Sequence, residues 1–232
     1  MVALATPAHA QDEFEIQVYD AETAKLGEPG LEIHINEHLI QAAPDETHVT
    51  FEPHYGLRDW AELGAYLQTS LSSDGFAYAG VKLRLKVRWP RRVWRDRVGL
   101  AVNFEISDIP ARFEPDVWGS EVRPIADLRV GRIYAAVNPI VSTDLAGTLA
   151  GHPQFEPAAK LGISVARSLM LGFEWYGGFG PFDAFGSTAV DRSFVTLDVD
   201  GGWWDLDFGI GANWGSPDDP IAKLIFGMHP AR

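Results

Sequence analysis

The chain has 232 residues, no cysteine and a formal net charge of −13, with a pI near 4.9. The lack of cysteine excludes disulfides and thiolate metal sites, and the acidic balance argues against nucleic acid, whose phosphates require a basic stripe. No run approaches the roughly eighteen apolar residues of a membrane helix, so a helical membrane protein is excluded and any crossing must be made by strands.

Residues 1–10 end in Ala8-His9-Ala10 before Gln11-Asp12-Glu13. Small residues at the two positions a signal peptidase inspects make this the tail of a secretory signal peptide, with the mature chain expected to begin near Gln11. Glu13 to Tyr19 alternates briefly, and Asp20 to Gly30 is a connection containing glycine and proline. Residues 11–30 are therefore read as an N-terminal periplasmic segment, and whether Glu13–Tyr19 enters a lumen is left open.

From Leu31 to the end, one unit recurs: an alternating stretch of about ten to thirteen residues, then a turn signal. The predicted strands are 31–42, 47–57, 60–71, 76–89, 97–108, 117–129, 132–143, 153–166, 169–178, 192–200, 203–214 and 220–228, twelve in all. The last but one is the clearest. Trp204, Leu206, Phe208, Ile210, Ala212 and Trp214 share one parity, and Trp203, Asp205, Asp207, Gly209, Gly211 and Asn213 share the other. Apolar parity toward lipid, polar parity toward a lumen and aromatic residues at strand ends (Tyr55, Trp60, Trp89, Trp118, Trp175, Trp204, Trp214) predict a transmembrane antiparallel up-and-down β-barrel spanning 31–232. A soluble β-sandwich or lipocalin-like barrel shares this periodicity, but strands about twice the usual soluble length favour the membrane. With strand 31–42 running outward, the inner turns fall at 58–59, 90–96, 130–131, 167–168 and 201–202, and longer outer loops at 109–116, 144–152 and 179–191. Both termini are then periplasmic.

The polar parity carries the candidate site. Lys82, Arg84, Lys86 and Arg88 form one basic strand, and Arg123 joins them from a nearby strand. The acids Glu105, Glu121, Asp198, Asp205 and Asp207 are expected to face them across the lumen. One reading is structural, with cations paired to carboxylates because buried ions must be; the other is a constriction selecting solutes by sign and size. His34, His48 and His54 share this parity with Glu32 and Glu52, which is ligand-type chemistry, but without tight spacing they read as wall histidines bonded to carboxylates, and no metal or other cofactor is expected. Lumen-parity glycines at 80, 99, 162, 172, 209 and 211 are expected to admit large side chains, with Tyr66, Tyr134 and Tyr176 as occupants. No Gly-x-Ser-x-Gly elbow or converging triad is evident, so no enzyme is expected.

Four stretches carry a resemblance: Glu13 to Asp20, Trp118 to Ile125, Ala136 to Val141 and Phe155 to Lys160. They resemble a family of uncharacterised proteobacterial outer-membrane β-barrel proteins, loosely described as transporters or porin-like. The resemblance implies fold and location and carries over no catalytic residue. One departure is that the chain continues past Phe226 through Gly227 to Arg232, where such barrels usually end on an aromatic residue. The expected function is a narrow outer-membrane channel for small solutes, in contact with membrane lipid and lipopolysaccharide. The alternative is a closed structural or docking barrel that binds a partner through its outer loops.

Overall fold

The computed structural model describes residues 13–40, 46–113, 117–147, 150–186 and 189–229. Its strands are β1 (Pro29–His38), β2 (Glu46–Arg58), β3 (Ala61–Ser72), β4 (Gly75–Arg88), β5 (Val98–Asp108), β6 (Trp118–Val130) and β7 (Ile133–Asn138). They continue with β8 (Val141–Asp144), β9 (Gln154–Phe155), β10 (Ala158–Ala166), β11 (Leu169–Gly178), β12 (Val190–Asp200), β13 (Trp204–Asn213) and β14 (Ser216–Met228). All fourteen belong to one antiparallel sheet, which pairing of β5 with β6 and of β1 with β14 closes on itself. Two staves are each interrupted beside a proline, β7 from β8 at Pro139 and β9 from β10 at Pro157. A missing N–H cannot join the ladder. The barrel therefore has twelve crossings, as the sequence pattern predicts, and among the described residues no edge is left unpaired.

Register puts the two parities on opposite surfaces. Leu63, Leu67, Leu83, Leu85, Leu161, Phe173 and Val195 are exposed on the outside, while their neighbours Glu62, Tyr66, Arg84, Lys86, Lys160, Glu174 and Phe194 are buried inside. An exterior that is apolar and an interior that is charged invert the arrangement of a water-soluble barrel, so the outside is built to meet hydrocarbon. Exposed Trp60, Trp89 and Trp203 stand at one end of the staves and Trp118 and Trp214 at the other, the positions of interfacial anchors.

The two ends differ. At one, the connections are 59–60, 131–132, 167–168, 201–203 and a longer 89–97; we call it the turn end. The opposite, loop end carries 109–117, 145–153 and 179–189. The last strand begins at Ser216 rather than at the expected 220, so β13 and β14 meet in a tight hairpin.

Residues 13–28 do not flank the barrel; they run through it. Phe14, Glu15, Ile16, Val18, Tyr19 and Ala21 are buried. Asn36 and Thr50 near the loop end hydrogen-bond the carbonyls of Glu13 and Phe14 at 2.9 and 3.0 Å, whereas Glu62 and Asp59 near the turn end accept from the amides of Ala24 and Leu26 at 2.6 and 3.1 Å. The chain thus descends the lumen, turns at Gly27, whose φ is +81°, and climbs again as β1.

Leu83 lies near the middle of β4 on the outer face and is 62% exposed. Leu83→Arg should lower stability of the refolded protein in bilayers by about 2–4 kcal/mol, the cost of a cation at the hydrocarbon midplane. Urea titration in vesicles measures this, and a shift below about 0.5 kcal/mol, ordinary for a wet surface, would place that face in water.

Candidate functional site

A strand that enters a closed barrel cannot join its sheet, because the wall's backbone groups already pair with one another. The N–H and C=O groups of the threaded segment then look to wall side chains for partners. Several find them there. The Asn138 amide accepts from the Tyr19 N–H at 2.7 Å and donates to the Tyr19 carbonyl at 3.0 Å, mimicking one rung of a ladder. Lys223 donates to the Ile16 carbonyl at 3.3 Å, Arg123 to that of Gln17 at 3.4 Å, and Asp127 accepts from the Ala21 amide at 2.8 Å.

Side chains of the segment divide by chemistry. Ile16 and Val18 pack against Ala136, Ile140, Ala158, Tyr176, Phe194 and Ile221, an apolar patch on one lumen wall. Tyr19 and Ala21 pack with Ala101 and Ile125. The carboxylates meet the basic wall: Glu13 pairs with Arg192 at 3.2 Å, and Glu15 with Lys82 at 3.4 Å and Arg123 at 3.3 Å. Further toward the turn end, Asp20 pairs with Lys86 at 3.7 Å and Arg129 at 2.9 Å, and Glu22 with Arg88 at 3.4 Å and Arg92 at 2.7 Å. The Tyr19 ring lies under the Arg123 guanidinium, 4.4 Å from its centroid, and its hydroxyl bonds Glu15 at 2.7 Å as well as Tyr66.

Nine of the ten predicted site residues fall into two networks rather than one, and the tenth, Asp205, pairs apart from both. Lys82 reaches Glu105 at 3.8 Å, Arg84 bridges Glu52 at 2.5 Å and Glu62 at 2.7 Å, and Arg123 pairs with Glu121 at 2.7 Å. Asp198 and Asp207 do not face this strand: both hold Lys160, at 2.5 and 2.7 Å, and Asp207 also holds Lys223 at 3.2 Å. Glu174 joins that second network, bonding Lys160 at 2.9 Å and Lys223 at 2.6 Å, while Asp205 pairs with His229 at 2.5 Å. The physical reason for the separation is the threaded segment, which lies between the two walls and supplies the basic strand with its own acids. Glu15, Asp20 and Glu22 were absent from the expected site because a short alternating stretch before the repeating strands carries no sign of which surface covers it.

Two smaller expectations change. The lumen glycines do make room for large groups, but a Cβ at Gly64 would strike Arg84, one at Gly209 Lys223, one at Gly211 Phe194 and one at Gly162 Met170. Long cations, a phenylalanine and a methionine fill that space rather than the expected tyrosines. Of those three histidines, His34 lies between carboxylates among the described residues, 3.1 Å from Glu52 and 3.7 Å from Glu32. One ligand atom each from Glu32, His34 and Glu52 lies within 4.8 Å of the others, but Arg84 and the Gln17 amide already occupy the two carboxylates. His48 stacks on Phe14 and His54 lies over Gly30.

A cavity of about 730 Å³ opens beside the segment at the turn end, lined among others by Asp20, Glu32, His54, Lys160, Asp198 and His229. The exposed Arg132 and Arg167 stand at its margin.

Comparison with solved structures bears on the fold. The KdgM porin superposes with a TM-score of 0.58 at 8% identity, covering 85% of this chain and 98% of that one. An outer membrane channel from Pseudomonas putida F1 does so at 0.60 and 12% identity, covering 93% and 100%. KdgM solved with disordered oligogalacturonate gives 0.56 at 8% identity, covering 85% and 98%. No protein-family model and no curated protein matches the sequence. The fold is that of outer-membrane β-barrel porins and channels.

Arg84 holds two buried carboxylates at once. Arg84→Met should cost about 3–5 kcal/mol by stranding Glu52 and Glu62, and adding Glu52→Gln with Glu62→Gln should recover part of that loss. Urea unfolding in vesicles reads both, and a near-neutral single variant would show that the pairing contributes little.

Proposed function

We propose that the protein is an outer-membrane channel for small anionic solutes, held closed by its own N-terminal segment. The observation that carries this reading is the pairing of the segment's carboxylates with Lys82, Lys86, Arg88, Arg92, Arg123 and Arg129. Each of these cations faces the lumen and is answered by the segment. When the segment leaves, a run of positive side chains lines the path, and charge of that sign attracts anions and repels cations. Lys82, Arg84, Lys86 and Arg88 recur at every second residue of an extended strand, so they stand about 7 Å apart, a spacing suited to an extended chain of carboxylates. Oligogalacturonate, the chain solved with KdgM, is of this type. Arg132 and Arg167 at the cavity margin place the same sign of charge where a solute arrives or departs.

The location follows from the apolar exterior and the aromatic anchors together with the fold shared with outer-membrane porins. Membership of the proteobacterial family suggested by the four sequence stretches is part of the same reading, as is the placement of the turn end in the periplasm. The export-signal reading of residues 1–10 lies outside the described residues. Catalysis has no part in the proposal.

A second reading is favoured by the aromatic cluster at the loop end. Phe179 and Phe185 stack with centroids 5.1 Å apart, and Phe182 and Phe185 are 52% and 55% exposed. In a permanently closed barrel, that cluster and loops 109–116, 144–152 and 179–191 would form a docking face.

In planar bilayers the full chain should be silent or open only briefly. A chain lacking residues 1–22 should conduct steadily and prefer anions, and Arg84→Gln with Lys86→Gln in that background should weaken the preference. Reversal potentials in a salt gradient measure this. A truncated barrel that folds and stays silent would contradict the channel and favour the docking barrel.

A further inference from the structure

Four of the five connections at the turn end are two or three residues long, but β4 and β5 are joined by nine, Trp89 to Arg97. The excess length is not loose. Val93 and Val98 form a bridge, the Val93 amide donating to the Val98 carbonyl at 2.7 Å, and the amides of Arg97 and Val98 both donate to the Val93 carbonyl at 3.1 Å. Within that frame Trp94, Arg95 and Asp96 adopt φ of 49°, 61° and 60°, three successive left-handed residues with no glycine among them. Non-glycine residues avoid this region because Cβ crowds the backbone, so a fixed turn built this way shows its side chains at a backbone cost.

The side chains shown are of two kinds. Trp89 and Trp94 are 64% and 63% exposed, and Trp60, whose carbonyl accepts from the Arg88 amide, is 46% exposed beside them. Arg91, Arg95 and Arg97 are exposed, whereas Arg92 turns inward to Glu22 and Asp127. In a chain of net charge −13, three exposed arginines against one exposed acid, Asp96, make a local basic surface. It lies where the staves leave the apolar girdle, which is the depth of lipid headgroups, and indole rings favour that depth.

We propose that the turn Trp89–Arg97 is a binding site for anionic phospholipid headgroups of the leaflet at the turn end. The arginines take the phosphate, and Trp60, Trp89 and Trp94 fix the depth at which they meet it. Phosphate suits arginine because the guanidinium fork can donate two hydrogen bonds to one anion. The site is independent of permeation: it stands whether or not the lumen opens.

The test uses the full chain refolded into phosphatidylcholine vesicles containing a minor share of spin-labelled phosphatidylglycerol or spin-labelled phosphatidylcholine. At low ionic strength the motionally restricted fraction should favour phosphatidylglycerol by about fivefold or more, the effect of one surface arginine, and high salt should reduce it. Arg91→Gln, Arg95→Gln and Arg97→Gln together should abolish the preference while heat-modifiable gel mobility confirms folding. If that variant fails to fold, Arg95→Gln alone and the salt dependence of the unaltered chain decide. Equal association of the two lipids, or a preference that survives the triple substitution, overturns the proposal. In vesicles that also carry lipopolysaccharide, its selective enrichment over phosphatidylglycerol likewise overturns the proposal, assigning the surface to the other leaflet.

Discussion

A peptide buried inside a charged barrel is stable only if each of its polar groups finds a partner there, and this constraint organises the molecule. Desolvating a carboxylate costs several kcal/mol unless a cation and further hydrogen bonds receive it. The segment through the lumen carries Glu13, Glu15, Asp20 and Glu22, and each meets one or two cations of the wall. Its backbone is met by Asn138, Lys223, Arg123, Asp127 and Glu62. Removing either partner from these pairs leaves the other exposed to the same cost, so wall and segment specify one another.

The barrel satisfies a second constraint with the same residues. Twelve staves enclose more space than side chains of an eight-stranded barrel fill, and less than a large porin leaves open. The segment takes up the surplus on one side, packing Ile16 and Val18 against an apolar patch that would otherwise line water. On the other side, Lys160 and Lys223 bridge Glu174, Asp198 and Asp207 and draw β10, β11, β12, β13 and β14 together. Cations of the first network divide their pairs between wall acids and the segment, whereas the ion pairs of Lys160 and Lys223 are made within the wall. On the proposed reading, loss of the segment takes Asp20 and Glu22 from Lys86, Arg88 and Arg129 while the pairs of Lys160 and Lys223 remain, and a closed barrel becomes a selective one without losing its shape.

Much of the fold was legible because alternation is a two-faced signal that every stave repeats. Strand 204–213 announced its faces through Leu206, Phe208 and Ile210 against Asp205, Asp207 and Gly209, and the same rule located all twelve crossings. Prolines 139 and 157 broke two staves without hiding them. What the sequence did not reveal is which chain segment lies inside. Glu13–Tyr19 has the same alternation as a stave, but it is buried on both faces, Phe14, Ile16 and Val18 on one and Glu15 on the other. Local pattern reports that a residue needs a partner, not which partner it finds. That is why Lys82 and Lys86 were matched with acids across the lumen when Glu15 and Asp20 stood nearer.

Because the chain has no cysteine, a single introduced thiol reports its own surroundings without background. The most direct measurement is the rate at which a water-soluble maleimide modifies Val18→Cys in the protein refolded in vesicles, relative to Ser168→Cys on an exposed turn. A segment seated in the lumen predicts that Cys at position 18 reacts many-fold more slowly, and that neutralising Glu15, Asp20 and Glu22 speeds it. Equal rates at the two positions in the unaltered background would contradict the occupancy of the lumen on which the closed state rests.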